Sequence, residues 1–225
     1  MPESETDPVD VVRRGYDALS LRYRADDANP GRYGPWIAEL LAVLKVASRV
    51  LDLGCGCGVP VARDLVAAGH RVTGVDISDV QIQRARRLVP GATFRRADAS
   101  SRRLPPGSFE AVVALYSMIH MPLAAQPALL RAVASWLVED GLLLLSAGWS
   151  EWTGSDDGWL GSETPMWWSH ADVATYRQWL TQAGFTVLRQ EFVPEGDGGH
   201  SLFWARRTTP LYDGVSPRER RYRDS

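Results

Sequence analysis

Lysine is almost missing from this 225-residue chain: Lys45 is the only one among 25 basic residues. Positive charge is therefore carried by arginine, which gathers at Arg84, Arg86 and Arg87, at Arg95 and Arg96, and at Arg102 and Arg103. The 27 acids outnumber the bases, leaving a net charge of −2 and a pI near 6.1. That balance supplies no field for nucleic acid or for an anionic membrane, and the arginine clusters read as solvated helix and loop faces. Cysteine is scarce too. Cys55 and Cys57 stand too close for an ordinary disulfide, and no second pair exists to complete a zinc site, so no metal is expected. Both read as small side chains filling a tight loop. The stretch Gly141 to Ala147 is a buried strand at most, and no run reaches the length of a membrane span. The amino terminus, MPESETDPVD, is acidic and polar, unlike a secretory leader. These absences point to a cytoplasmic protein.

What is present suits one α/β domain with a sizeable core, since 45% of the residues are hydrophobic. The most informative stretch is Val50-Leu51-Asp52-Leu53-Gly54-Cys55-Gly56-Cys57-Gly58. An apolar strand, Arg49 to Leu53, runs into glycines at alternate positions, and a helical pattern follows from Val59. Such glycines take positive φ and let the backbone approach a ligand closely. A dinucleotide fingerprint needs a sixth-position glycine, and Val59 stands there. Asp52 would also repel a pyrophosphate, whereas it would welcome a cation or an ammonium group. A second short apolar run, Arg71 to Asp76, ends in an acid one βα unit later, where a carboxylate can bond both ribose hydroxyls. A third run, Ala92 to Asp98, ends in Asp98-Ala99. The rival reading of Asp76 and Asp98 is that they cap helices.

With Asp52, the alternating glycines and acids at two further strand ends, the chain resembles the class I S-adenosyl-L-methionine (SAM) dependent methyltransferases. The resemblance covers about residues 10 to 207. It implies an α/β, Rossmann-like sheet of seven mostly parallel strands with helices on both faces and the last strand antiparallel. It implies SAM as cofactor, held by Asp52, Gly54, Cys55 and Gly56, by Asp76 with the adjoining Ile77, and by Tyr116. Asp98 would face the adenine amino group while the amide of Ala99 reads a ring nitrogen. An amino-terminal helix and loop would close over the cofactor, with Tyr16 and Tyr23 at aromatic positions; core packing is the rival role for Tyr16.

The remaining segments alternate as such a sheet requires. Helical stretches are expected from about Pro8 to Leu21 and from Pro35 to Val46, the latter with Trp36, Ile37, Leu40, Leu41 and Leu44 on one face. Ser78 with Gln81 forms a capping box before the stripe Ile82, Ala85, Leu88 and Val89. Phe109 to Ser117 reads as a central parallel strand. Glu139-Asp140-Gly141 reads as the turn into a fifth strand, Leu142 to Ala147. Ser169 with Asp172 would start another helix, ending at Gly184. Phe185 to Phe192 and Ser201 to Arg206 supply the last strands. The expected organisation is an amino-terminal helical cap at 1–48, a core at 49–207 with an insertion at 149–168, and a flexible tail at 208–225.

The methyl acceptor should meet the cofactor beyond the ends of the fourth and fifth strands. His120 falls there, able to take a proton near neutrality as general base or to touch the acceptor; the bland role is to bond a loop carbonyl. Tyr116-Ser117-Met118-Ile119 stands where methylases of nucleobase or glutamine amines carry Asn/Asp-Pro-Pro-Tyr/Phe, which argues against that group. His200 could turn toward the same end, and His170 reads as mostly structural. The insertion holds five of the nine tryptophans. Trp149, Trp152, Trp167 and Trp168 are expected to wall an aromatic or flat acceptor, unless they form a mini-core or a dimer contact. Glu151, Asp156, Asp157 and Glu163 nearby would favour a cationic acceptor, or are simply solvated. The expected activity is methyl transfer to an oxygen or nitrogen of a small molecule, by a monomer or homodimer, with neither nucleic acid nor membrane as partner. The alternatives are a non-catalytic SAM-binding regulator or partner subunit and, less favoured, an NAD-dependent oxidoreductase.

Overall fold

The computed structural model describes residues 7–101 and 103–208. Of the expected tail only Thr208 is among them; residues 209–225 lie outside the described part. The chain runs α1 (Pro8–Tyr23), α2 (Tyr33–Val43), β1 (Arg49–Leu53), α3 (Val61–Ala67), β2 (Arg71–Asp76), α4 (Asp79–Leu88) and β3 (Thr93–Arg96). It continues through β4 (Phe109–Ala114), α5 (Gln126–Trp136), β5 (Leu137–Gly148), β6 (Trp152–Asp156), β7 (Met166–His170), α6 (Val173–Gln182), β8 (Phe185–Glu195) and β9 (Gly198–Arg207). Seven strands form one sheet in the order β3-β2-β1-β4-β5-β9-β8, and only β9 runs antiparallel to its neighbours. This is the α/β architecture the sequence implies.

The strand order places β1 in the interior of the sheet, between β2 and β4 and buried on both faces. Leu51 and Leu53 point into one core with Val112, Leu143, Leu145 and the apolar faces of α5 and α6. Val50, one residue out of phase, joins Val72, Leu144 and the residues of α2, α3 and α4 on the other side. Alternation at period two thus divides one strand between two cores. At the same strand Asp52 falls on a buried position, a placement that costs free energy unless a partner meets the carboxylate.

Several boundaries differ from the sequence expectations. The helix after the glycine loop begins at Val61, because Val59 and Pro60 complete the turn. The fifth strand begins at Leu137, directly out of α5; Glu139-Asp140-Gly141 is a kink inside it, where Asp140 takes φ 61°. Ser169 and His170 belong to β7, and α6 is capped by Asp172, whose carboxylate accepts from the amide of Thr175 at 2.8 Å. A serine that packs in a hairpin cannot also open the helix. The capping box at α4 is half formed. Ser78 Oγ accepts from the amide of Gln81 at 3.1 Å, but the amide of Ser78 donates to Asp76 at 2.9 Å.

The 149–168 insertion is ordered as a two-stranded hairpin, β6 against β7. Gln126, fully buried at the start of α5, anchors it. Its Nε2 donates to the carbonyls of Met121 (2.9 Å) and Ser169 (2.7 Å), and its Oε1 accepts from the Tyr176 hydroxyl at 2.5 Å. On the opposite flank α1 is tied to α4: Ser78 Oγ and the amide of Val80 donate to Asp17, and Ser20 Oγ donates to Gln81 at 2.8 Å. Arg84, itself buried, donates to Asp26, to Ser20 Oγ and to the carbonyl of Arg24. These bonds hold α1 and the segment after it over the carboxyl ends of the strands.

Candidate functional site

At the end of β1 the chain turns sharply, with Gly54 at φ 75° and Gly56 at φ 52°. A side chain at Gly54 would meet Ser117 Cβ at 2.2 Å, so this glycine is required by sterics as well as by φ. Gly56 has open space beside it, with nothing nearer than Gln81 at 3.9 Å. Its amide donates to Asp76 Oδ2 at 2.8 Å, so the end of β2 holds the loop in place. Asp76 Oδ1 is taken by the amide of Ser78, so Asp76 holds the turn ahead of α4 while Ser78 itself caps the helix. Each oxygen of Asp76 keeps lone-pair capacity toward the cleft.

Asp52 is 3% exposed, and its Oδ2 has no hydrogen-bond partner among the described residues. Burial, reinforced by the neighbouring Asp76 charge, pushes its carboxyl up to about 8. Burial likewise raises Asp76, to about 6, against the pull of its amide donors. Two carboxylates driven toward neutrality are a preformed receptor for donors and positive charge. Cys55 and Cys57 are free and buried beside them, and burial pushes the Cys55 thiol well up. Asp98, after β3, accepts from the amide and hydroxyl of Ser100 at 2.8 Å, which turns the chain there.

Two connected hollows result. One is lined by Tyr16, Tyr23, Gly54, Gly56, Asp76, Ile77, Asp98, Ala99, Tyr116 and His120, so it gathers residues that the sequence placed at the cofactor. A smaller compartment beside it carries Asp52, Cys55 and Arg24. Arg24 was not singled out from the sequence, and Gln81, a buried amide on the wall of the first hollow, was read there only as a capping residue. The available signals were the guanidinium at Arg24 next to Tyr23 and the spacing of Gln81 from Ser78.

Beyond Tyr16 and His120 opens a third space of about 650 Å³. His120 stands in a 3-10 turn after β4 and is 7% exposed. Its Nδ1 lies 2.8 Å from the carbonyl of Trp167 and its Nε2 lies 2.8 Å from the hydroxyl of Tyr16. A carbonyl only accepts, so Nδ1 carries the proton, Nε2 presents its lone pair, and Tyr16 donates to it. Burial depresses the imidazole to about 4, so it is neutral at pH 7. Burial also pushes the Tyr16 phenol well above its ordinary value.

Four rings complete this wall. Tyr16 and Tyr23 meet edge to face at 5.3 Å; Trp159 lies 5.8 Å from Tyr16, and Trp168 lies 5.3 Å from His120. The insertion thus divides its tryptophans. Trp168 joins the wall and Trp159, not singled out from the sequence, joins it too. Trp167 supplies its carbonyl to His120. Trp149, 44% exposed, packs on Phe192 at 4.6 Å and does not line the cavity, nor does Trp152, also 44% exposed. Trp149 precedes β6, and Trp152, on the same hairpin face as Trp168 and 6.1 Å from it, stands outside the cavity lining. His170 donates Nδ1–H to the carbonyl of Ser150 and stands outside the cavity.

His200 lines the opposite wall, 5.0 Å from the Tyr116 ring, with Nε2 3.3 Å from Glu195. Glu195 also meets Arg32 at 3.2 Å, and Arg32 donates to the Tyr116 hydroxyl at 2.9 Å. Tyr116 holds φ 54°, a strained value for an aromatic residue, with its amide donating to Ser146 Oγ. Among the described residues no three His, Cys, Asp or Glu side chains are placed to share a metal ion, and no helix is long and apolar enough to cross a membrane.

A family profile described as a methyltransferase domain matches residues 23–190. A 27-O-demethylrifamycin SV methyltransferase of Amycolatopsis mediterranei is 40% identical over 85 residues, 35% of this chain and 31% of that protein. A phosphoethanolamine N-methyltransferase of Arabidopsis thaliana is 29% identical over 165 residues, 66% of this chain and 30% of that protein. The chain spans about a third of the length of the first such relatives. Among solved structures, a 1,6-didemethyltoxoflavin N1-methyltransferase of Burkholderia thailandensis superposes with a TM-score of 0.71 at 20% identity, covering 93% of this chain and 92% of that one. The [4+2]-cyclase SpnF superposes at 0.67 with 19% identity, covering 88% and 95%. At such identity these likenesses show the fold alone.

Proposed function

Because the chain belongs to the methyltransferase domain family, we propose that it transfers a methyl group from S-adenosyl-L-methionine to an oxygen or nitrogen of a small molecule. The observation that carries this is the buried, unpartnered Oδ2 of Asp52 beside the Gly54–Gly56 turn and Asp76. An ammonium group placed there would take the orphan lone pair and keep Asp52 ionised. Asp76 would hold the ribose hydroxyls, and Asp98 and Ala99 the adenine edge. Tyr16, Tyr23 and Tyr116 would cover the cofactor. When bound, SAM supplies an electrophilic sulfonium methyl with a good thioether leaving group.

The remaining work is positioning and proton removal. His120 is the proposed base, but it cannot reach an acceptor except through Tyr16, because Tyr16 occupies its one lone pair. An acceptor O–H proton would pass to the Tyr16 oxygen as the Tyr16 proton passes to His120 Nε2. The Nδ1–H bond to Trp167 then steadies the imidazolium. Trp159 and Trp168 would flank the acceptor, and His200 would face it from the other side. Free cysteines at the loop support a cytoplasmic setting.

Calorimetric titration with S-adenosylhomocysteine (SAH) tests the assignment. We expect micromolar affinity, and Asp76→Ala should weaken it by about 2 to 3 kcal/mol through loss of charge-assisted bonds. Identical titrations for wild type and Asp76→Ala, or binding of NADH in place of SAH, would sink it.

A further inference from the structure

The acceptor cavity has a charge imbalance. Arg24 and Arg32 both line it, while Glu195 is its one carboxylate. Glu195 is already engaged: it pairs with Arg32 and His200, and these partners hold its carboxyl below the usual range. Arg32 spends one nitrogen on Glu195 and on the Tyr116 hydroxyl, leaving its other donors free. The Arg24 guanidinium sits 4.6 Å over the Tyr33 ring and 5.6 Å from the Tyr23 ring, with no hydrogen bond or ion pair to any described residue. The acids that would have favoured a cationic acceptor are elsewhere. Glu151, Asp156, Asp157 and Glu163 are all exposed, and none lines the cavity.

The same cavity is lined by the rings of Trp159 and Trp168 and by the Tyr16–His120 pair. We propose that the acceptor is a flat aromatic compound bearing a carboxylate or comparable anionic group, its ring against Trp159 and Trp168 and its anion toward Arg24 and Arg32. Planar guanidinium forks suit a carboxylate, and rings suit a ring. The anionic end fixes orientation, so the group to be methylated is turned toward Tyr16 and the cofactor compartment. This rests on the methyl-transfer reading above, and it narrows the acceptor to one chemical class.

The test uses a matched series, 4-hydroxybenzoate, 4-hydroxybenzamide and 4-hydroxybenzylamine, titrated calorimetrically into protein saturated with SAH. The acid should bind about tenfold tighter than the amide and tighter still than the amine. Arg32→Gln and Arg24→Gln, each checked first for its fold by circular dichroism and for its SAH affinity, should bring acid and amide within about threefold of each other. Glu195→Gln, which removes the opposing charge, should widen the preference. Equal affinity for acid and amide, preference for the amine, a preference unmoved by all three substitutions, or no binding of any probe overturns the proposal. Failure of wild type to bind SAH is a separate result, and it condemns the methyl-transfer reading itself.

Discussion

The two sides of the cleft are built by different means. On the cofactor side the bonds are short-range in sequence: Gly56 to Asp76 spans 20 residues, and Asp76 to Ser78 spans two. On the acceptor side Tyr16 meets His120 across 104 residues, Arg32 meets Tyr116 across 84, and His120 meets Trp167 across 47. One side is backbone and carboxylates at strand ends, positions fixed as soon as the parallel sheet forms. The other is side chains from the amino-terminal segment, the β4 end, the insertion and the β8–β9 hairpin, which must all arrive together. The first therefore belongs to the fold and the second to the individual protein.

The sharpest break of that division would come from the pair at its boundary. Once an acceptor is identified, His120→Ala should lower kcat by about 10²- to 10⁴-fold while leaving SAH affinity nearly unchanged. Tyr16→Phe should cost a similar factor, because it severs the same path. Wild-type turnover in Tyr16→Phe would remove the relay, and a loss nearer tenfold in His120→Ala would mark the acceptor as a free amine. Independently of any acceptor, nitrogen NMR of His120 should report a neutral ring protonated at Nδ1 at pH 7.

A smaller effect separates the two sides by pH. Asp52 has a folded value near 8 and Asp76 near 6, both raised from 3.8. The stability each contributes is fully present below the unfolded value and is lost as pH rises toward the folded one. His120 has the opposite sign: depressed from 6.5 to about 4, it favours the fold above pH 6.5 and withdraws that support as pH falls through 4. Below pH 6.5 the two sides oppose each other; above it Asp52 acts alone. The ligand-free protein should thus lose up to about 1.4 kcal/mol per pH unit between roughly pH 6.5 and 8. Denaturant melts should show that decline, and both Asp52→Asn and saturation with SAH should flatten it. A flat profile without ligand would mean that Asp52 is already compensated.

The smallest expected effect is the most selective. Trp149→Ala should leave SAH binding and acceptor affinity within about 0.5 kcal/mol of wild type, since its ring lies outside the cavity. A tenfold loss of acceptor affinity would return that ring to the site.

Legibility followed the same division. Asp52, Gly54, Gly56, Asp76 and Asp98 were readable because a strand, a turn and a helix start are local events with local residue requirements. The position of His120 was readable from strand count, but its tautomer was not, because that depends on a carbonyl contributed by β7. The insertion showed its richness in tryptophan without showing which rings face inward. The hairpin register, Trp152 opposite His170 and Gly154 opposite Trp168, puts Trp152 and Trp168 on one face and Trp167 on the other, and that register was invisible while Ser169 read as a helix cap. Arg24 and Arg32 passed as ordinary polar loop residues, since nothing local distinguishes a guanidinium facing a cavity from one facing water.

Gln126 has a consequence for anyone wishing to reshape the cavity. Its amide uses both donors and its oxygen to join the turn after β4, the end of the hairpin and Tyr176 of α6. A glutamate there would bring no N–H, and a leucine would strand two carbonyls and a phenol. The hairpin is consequently not a cassette. Transplanting 149–168 from a relative would import its rings without the socket that sets their height, unless positions 126 and 176 travelled with it. Loop exchange in this scaffold is a three-part graft, and libraries confined to the insertion would sample mostly misaligned walls.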